Sequence, residues 1–193
     1  MRAASTAAPT RAAAEWPYKF FSTPQPDAPC LCIPRVSSER RKYIPMAFLR
    51  ENEIAGDSLS IVHGADLYHF GVLTSSVHMA WVRTVAGRLK SDYRYSGDSV
   101  YNNFVWSSVN EKQKSKIEST AKKILEAREK FSDSSLADLY DPLTMPEELL
   151  KAHKANDVAV CESYGFDKNI SEEEIVSELM SLYEKFSKSK KEE

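Results

Sequence analysis

A change of periodicity near residue 107 constrains this chain more than any other feature. Beyond it, three signatures, Ser108 to Glu111, Thr144 to Glu147 and Ser171 to Glu174, each precede an apolar stripe at helical spacing. The first predicts a helix to about Phe131, with Ile117, Ala121, Ile124 and Arg128 on one side. The second, with Pro146 in its first turn, runs to about Tyr164 through Leu149, Leu150, Val158 and Cys161. The third carries Ile175, Leu179, Leu182, Tyr183 and Phe186. A short helix fits at 134–140. Before residue 107 the apolar runs are short and broken by Pro, Gly and Ser. The chain therefore reads as α+β: a mixed β-rich part over 15–106, then an all-α part over 107–187. Residues 1–14 read as a flexible or partly helical linker, and 188–193 as a charged tail.

Within the front part, five prolines over 16–34 forbid a helix, so that segment is expected to be extended and to pack through Trp16, Tyr18, Phe20 and Phe21. Strands are expected at 30–36, stopping or bulging at Pro34, and around Tyr43 to Leu49. Two more are expected at 57–64 and 65–73, around a His63–Gly64 turn. Residues 74–89 read as a helix with Val77, Trp81, Val85 and Leu89 as its stripe, capped by Thr74 or Ser75. Residues 90–104 return to strand or loop, with Tyr93 and Tyr95 alternating with Asp92 and Arg94.

Composition narrows the class of function. Apolar residues at 42% and charged residues at 28% describe a soluble globular chain, and 193 residues suffice for a real core. The formal net charge is −2, but it is unevenly spread: residues 1–96 hold 12 Lys/Arg against 8 Asp/Glu, and 97–193 hold 14 against 20. A basic front and an acidic back suggest different partners. Three cysteines without a paired framework argue for a reducing compartment, and Cys30 and Cys32 read as small buried hydrophobes. No run approaches the roughly 18 apolar residues of a membrane span. No phosphate-binding glycine loop, zinc-binding helix motif or nucleophile elbow occurs. Ser75 and Ser76 beside His78 lack an orienting acid, and Asp138, Asp141 and Glu147 read as caps and turns. No catalytic or metal site is expected.

Two basic segments remain. In 88–104, Arg88, Lys90, Asp92 and Arg94 recur every second residue, so on one strand they would project from one face. Lysine donates to guanine O6 and N7, and aspartate accepts from the N4 amine of cytosine. Lys90 and Asp92 thus suit the two halves of a G·C pair, and Arg94 a neighbouring guanine or a phosphate. A solvated edge strand with a weak ion pair fits the spacing equally well. In 35–43, Arg35, Arg40, Arg41 and Lys42 lie among the hydroxyls of Ser37 and Ser38. That is either a phosphate-gripping loop, which Arg88 would join, or a charged turn.

Three blocks, PRVSSERRKYIPMAFL, LYHFGVLTSSVHMAWVRTVAGRLKSDYRYSGDSVYNNF and SSLADLYDPLTMPEELLKAH, occur in the order found in the C-terminal region of MmeI-like DNA methyltransferases. These are large type IIL (type IIG) restriction-modification enzymes and their methylase relatives. The resemblance covers roughly 1–165. It implies a target recognition domain over about 1–106 followed by a helical domain, with double-stranded DNA as partner. It implies base reading by Lys90, Asp92 and Arg94, and by Arg35, Asp57 and Ser58. It implies that S-adenosylmethionine and the adenine-N6 chemistry belong to a methyltransferase domain or subunit lying upstream. No cofactor is then expected in this chain, nor enzymatic activity from it alone, and the setting would be the bacterial cytoplasm. One departure is visible: Val105-Trp106-Ser107 replaces the family's prolines around that tryptophan. An alternative is that the acidic helices dock on a methyltransferase without the chain reading DNA.

Overall fold

The computed structural model describes residues 2–16, 18, 28, 30–50 and 53–189. Short 3-10 turns at Arg2–Ala4 and Ala13–Glu15 flank helix α1 (Ala8–Ala12), so the leading segment is partly helical. Trp16 and Tyr18 meet edge-on and are exposed, at 52% and 75%, contrary to the expected packing. Phe20 and Phe21 lie outside the described residues.

Two small antiparallel sheets follow. Strand β1 (Cys30–Pro34) lies between β3 (Ala47–Leu49) and β4 (Leu59–His63). Cys30 through Ile33 are all buried, as expected of a continuous apolar run covered on both faces. Pro34 closes the strand, where its missing N–H is harmless. The chain then changes sheets at Arg35, whose N–H donates to Ser58 O (2.9 Å) and whose carbonyl accepts from Tyr95 N–H (2.8 Å). The second sheet has the order β2 (Val36–Ser37), β6 (Asp92–Arg94), β5 (Gly87–Leu89). The strand expected around Tyr43 is only β3: Tyr43, Ile44 and Met46 are buried in the loop before it.

Residues 65–73 correct the sequence reading. Leu67–Leu73 is helix α2, not a strand. Asp66 caps it, accepting from His69 N–H at 3.0 Å, while the His69 ring returns to Asp66 N–H at 3.3 Å. Five of its seven residues are buried, so no polar face betrayed the helical period. Gly71 fixes its position: a Cβ there would sit 2.6 Å from Ile117 Cγ2 and 3.2 Å from Ala121 Cβ, and Asn156 Nδ2 donates to Gly71 O at 2.7 Å.

Helix α3 (Ser76–Val85) is capped by Ser75 and ends four residues before Leu89. After the β5–β6 hairpin, a π-helical turn at Gly97–Tyr101 is held by Trp81 Nε1–H on Val100 O (3.0 Å). The back half holds α4 (Glu111–Glu129), α5 (Leu136–Leu139), α6 (Glu147–Ser163) and α7 (Glu172–Ser189). The Ser171–Glu174 capping box forms as expected. The other two starts shift. Asn110 and Gln113 make the box that opens α4, and Pro146 is the residue before α6 rather than inside it. The Thr144 hydroxyl is consumed by Asp138 O at 2.6 Å.

The two halves share one core, because a single buried cluster runs from Leu31 to Leu179. Its polar centre is Arg128, on the buried stripe of α4. Its guanidinium donates to Met46 O (2.7 Å) and to the Tyr140 hydroxyl (Nε, 2.9 Å). Tyr140 also meets His153 Nε2 (2.7 Å), His153 stacks on Tyr43 at 4.1 Å, and Tyr43 donates to Asp157 (2.6 Å). Asp157 closes the chain by accepting from Ser76 N–H at the start of α3 (2.7 Å). No helix among the described residues is long and apolar enough to cross a membrane.

Candidate nucleic-acid interface

The hairpin that carries the candidate readers is tight. Leu89 pairs with Asp92, which leaves Lys90 and Ser91 as a two-residue turn. Such turns require a positive φ, and Lys90 supplies it at 57°, a conformation usually left to glycine. Arg88 braces the turn: Nη1 donates to Ser91 O at 3.0 Å, and the guanidinium lies 4.1 Å from the Tyr93 ring centre.

This turn overturns the expected single row of four. The chain reverses between Leu89 and Asp92, so side-chain parity does not carry across it. Arg88 is opposite Tyr93, on the inner side with the buried Ser37. Asp92 and Arg94 share the outer side with Gly87, Leu89 and Val36. Lys90 sits at the tip. Tyr93 and Tyr95 are buried and Arg94 is exposed, so the expected alternation within β6 holds.

The sheet change at Arg35 brings distant residues together. Arg35 lines two adjoining grooves. One, of about 370 Å³, also holds Asp57, and the other, of about 500 Å³, also holds Ser58, Val36, Leu89 and Arg94. Thus Arg35, Asp57, Ser58 and Arg94, separated by up to 59 positions, border one surface. Lys90 and Asp92 lie along the hairpin beyond it. Among the described residues, the side chains of Arg35, Asp57, Lys90, Asp92 and Arg94 enter none of the ion pairs or hydrogen bonds of this fold.

The 35–43 loop behaves differently. Ser37 cannot grip a phosphate: it is 2% exposed, facing inward opposite Tyr93, and its Oγ has no hydrogen-bond partner among the described residues. Ser38 Oγ accepts from Arg40 N–H (3.4 Å), closing a local turn. Arg40 reaches Asp141 (3.5 Å), and Arg41 donates to Ala137 O (3.4 Å), so both are drawn to the helical half around α5. Lys42 leans over the Tyr43 ring at 5.5 Å. Arg88 also approaches Glu39 at 3.8 Å.

Sequence reasoning missed two things. One is the exposure of Val36 and Leu89 beside Arg94. The other is the buried network behind the loop, where burial and the neighbouring Asp157 push the Tyr43 hydroxyl up, and burial pushes Asp157 up despite its hydrogen bonds. Arg128 on an otherwise apolar stripe was the available signal for the second. All three cysteines are buried and free, and no group of three or more His, Cys, Asp or Glu among the described residues is placed to hold a metal ion.

Residues 1–108 match the family model of the MmeI target recognition domain, and residues 109–190 that of the MmeI C-terminal domain. The chain belongs to the MmeI family. The solved structure of the type IIL restriction-modification enzyme MmeI in complex with DNA superimposes with a TM-score of 0.88 and 45% identity, covering 97% of this chain and 25% of that one. DNA methyltransferase A of Bacillus subtilis (strain 168) is 39% identical over 183 residues, 95% of this chain and 21% of that protein. The chain thus spans about a quarter or less of the length of these two relatives.

Proposed function

We propose that this chain is the duplex-DNA recognition module of an adenine-specific DNA methyltransferase of the restriction-modification type. One observation carries the reading: the sheet change at Arg35 gathers Arg35, Asp57, Ser58 and Arg94 on one exposed surface, with the Lys90–Asp92 hairpin beside it and their charges unspent. Base edges are read by such donors and acceptors, and phosphates by the cations. MmeI, its structural relative, is solved with DNA. Lys90 and Asp92 would read a G·C pair and Arg94 a guanine or phosphate, while Arg35, Asp57 and Ser58 complete the readout.

The methyl donor, S-adenosylmethionine, would be bound by a methyltransferase domain or subunit outside these residues. No catalytic step is assigned to this chain. Its task is to hold the duplex so that its partner can take out the target adenine.

The chain is incubated with a randomised duplex pool, and the bound fraction is sequenced. A motif should be enriched, with affinity falling as salt rises. Arg94→Ala should relax one position of that motif, at roughly 1–3 kcal/mol of discrimination, without changing the melting temperature. Exchanging Lys90 and Asp92 for Glu and Arg should invert a G·C preference. An unchanged motif in both variants would refute the assignment.

A further inference from the structure

Beyond its charges, the outer side of the second sheet carries two apolar side chains. Val36 stands directly opposite Arg94, and Leu89 directly opposite Asp92. They are 40% and 52% exposed, and both line the groove of about 500 Å³ shared with Arg35, Ser58 and Arg94. Single exposed apolar residues are ordinary on protein surfaces. Two on one narrow sheet face, set between a cation and an anion that no other side chain engages, make a pattern. Gly87 adds to it: a Cβ there would meet only Arg94 Cβ, at 3.9 Å, so the face stays open beside the guanidinium.

Donor, acceptor and apolar groups thus lie within one β-ribbon width. The major groove, which admits a two-stranded ribbon, displays acceptors, donors and a single apolar group, the C5-methyl of thymine. We infer that Val36 and Leu89 are specificity residues that pack against thymine methyl groups, so that the recognised site contains a T·A pair beside the one read by Arg94 or Asp92. The inference rests on the recognition reading above. The occupant is duplex DNA rather than a protein surface, because the same face offers Arg35 and Arg94 to a polyanion.

The duplex selected most strongly from the randomised pool is resynthesised with deoxyuridine replacing thymine, one position at a time. Deoxyuridine keeps the hydrogen-bonding edge and lacks only the methyl. Binding should weaken about fourfold at one or two positions, the loss expected for one methyl-sized group removed from apolar contact. Val36→Ala or Leu89→Ala should abolish that difference, binding the two duplexes equally. Both side chains are exposed, so each alanine variant should keep the melting temperature of the unaltered chain, which separates lost contact from a folding defect. Equal binding of thymine and deoxyuridine duplexes by the unaltered chain overturns the inference and leaves recognition standing. A thymine preference that survives both alanine variants also overturns it. Failure to select any duplex removes the recognition reading, and this inference with it.

Discussion

The loop at 38–42 and the hairpin at 87–94 are both basic and both at the surface, yet they use their charges in opposite ways. In the loop, Arg40 and Arg41 reach the helical half, and Lys42 lies against an aromatic ring. In the hairpin, Arg88 alone is committed, bracing the turn that holds Lys90, while Lys90, Asp92 and Arg94 face outward. A cation already satisfied within the protein must give up that contact before it can serve a ligand, whereas an unengaged one gives up only water. Counting basic residues therefore cannot tell a joint from an interface. Their partners can.

The sharpest version of the contrast lies beneath the loop. Arg128 is fully committed, and removing it takes the donor from the buried Met46 carbonyl and leaves the Tyr140 hydroxyl with His153 alone. Arg128→Met should cost about 2–4 kcal/mol of stability. Urea unfolding followed by tryptophan fluorescence, which reports the front, and by far-ultraviolet circular dichroism, which reports the helices, should shift together. Two separated transitions would show that the halves are not one cooperative unit.

The same interior sets an acid limit. Burial lowers the pKa of His78 to about 3, and burial with the nearby Arg128 does the same for His153. Both are neutral when folded and take up protons near pH 6.5 when unfolded. Their contribution is complete above about pH 6.5 and is lost as pH falls from there toward 3, at up to about 1.4 kcal/mol per pH unit for each. Urea midpoints measured from pH 7 to 5 should fall. A flat profile would mean that these imidazoles do not stay neutral.

At the hairpin tip the expected effect is smaller and opposite in sign. Lys90 holds a φ of 57°, which disfavours any residue with a Cβ. Lys90→Gly should raise stability by about 1 kcal/mol while erasing the preference at the base pair assigned to Lys90. A gain in stability with no loss of selectivity would leave the strain without a purpose in recognition.

What the sequence disclosed depended on whether a signal was local. Helices α4 and α7 announced their stripes because one face of each meets water, and the alternation of Tyr93 and Tyr95 with Asp92 and Arg94 was visible for the same reason. Helix α2 was hidden because Tyr68, Phe70, Gly71, Val72 and Leu73 are all buried. The row of four charges failed at one point, the reversal at Lys90–Ser91, which no spacing rule could place. The meeting of Arg35 with Asp57, Ser58 and Arg94 is set by tertiary contacts and came to the sequence only through family resemblance.

The smallest stability effect belongs to the loop, and it decides the comparison. Arg40→Ala and Arg41→Ala remove exposed contacts, so each should shift stability by less than about 0.5 kcal/mol. Their effect on DNA is the informative one. The logarithm of the binding constant falls with the logarithm of salt concentration by roughly 0.9 for each phosphate neutralised on duplex DNA. If the loop cations stay with Asp141 and Ala137, the double variant keeps the slope of the unaltered chain. Replacing Arg35 and Arg94 together should flatten it wherever either meets a phosphate. A slope that drops by one or two when only Arg40 and Arg41 are changed would mean that the loop leaves its anchor on the helical half to hold the duplex. The line between spent and free charge would then describe the unbound protein alone.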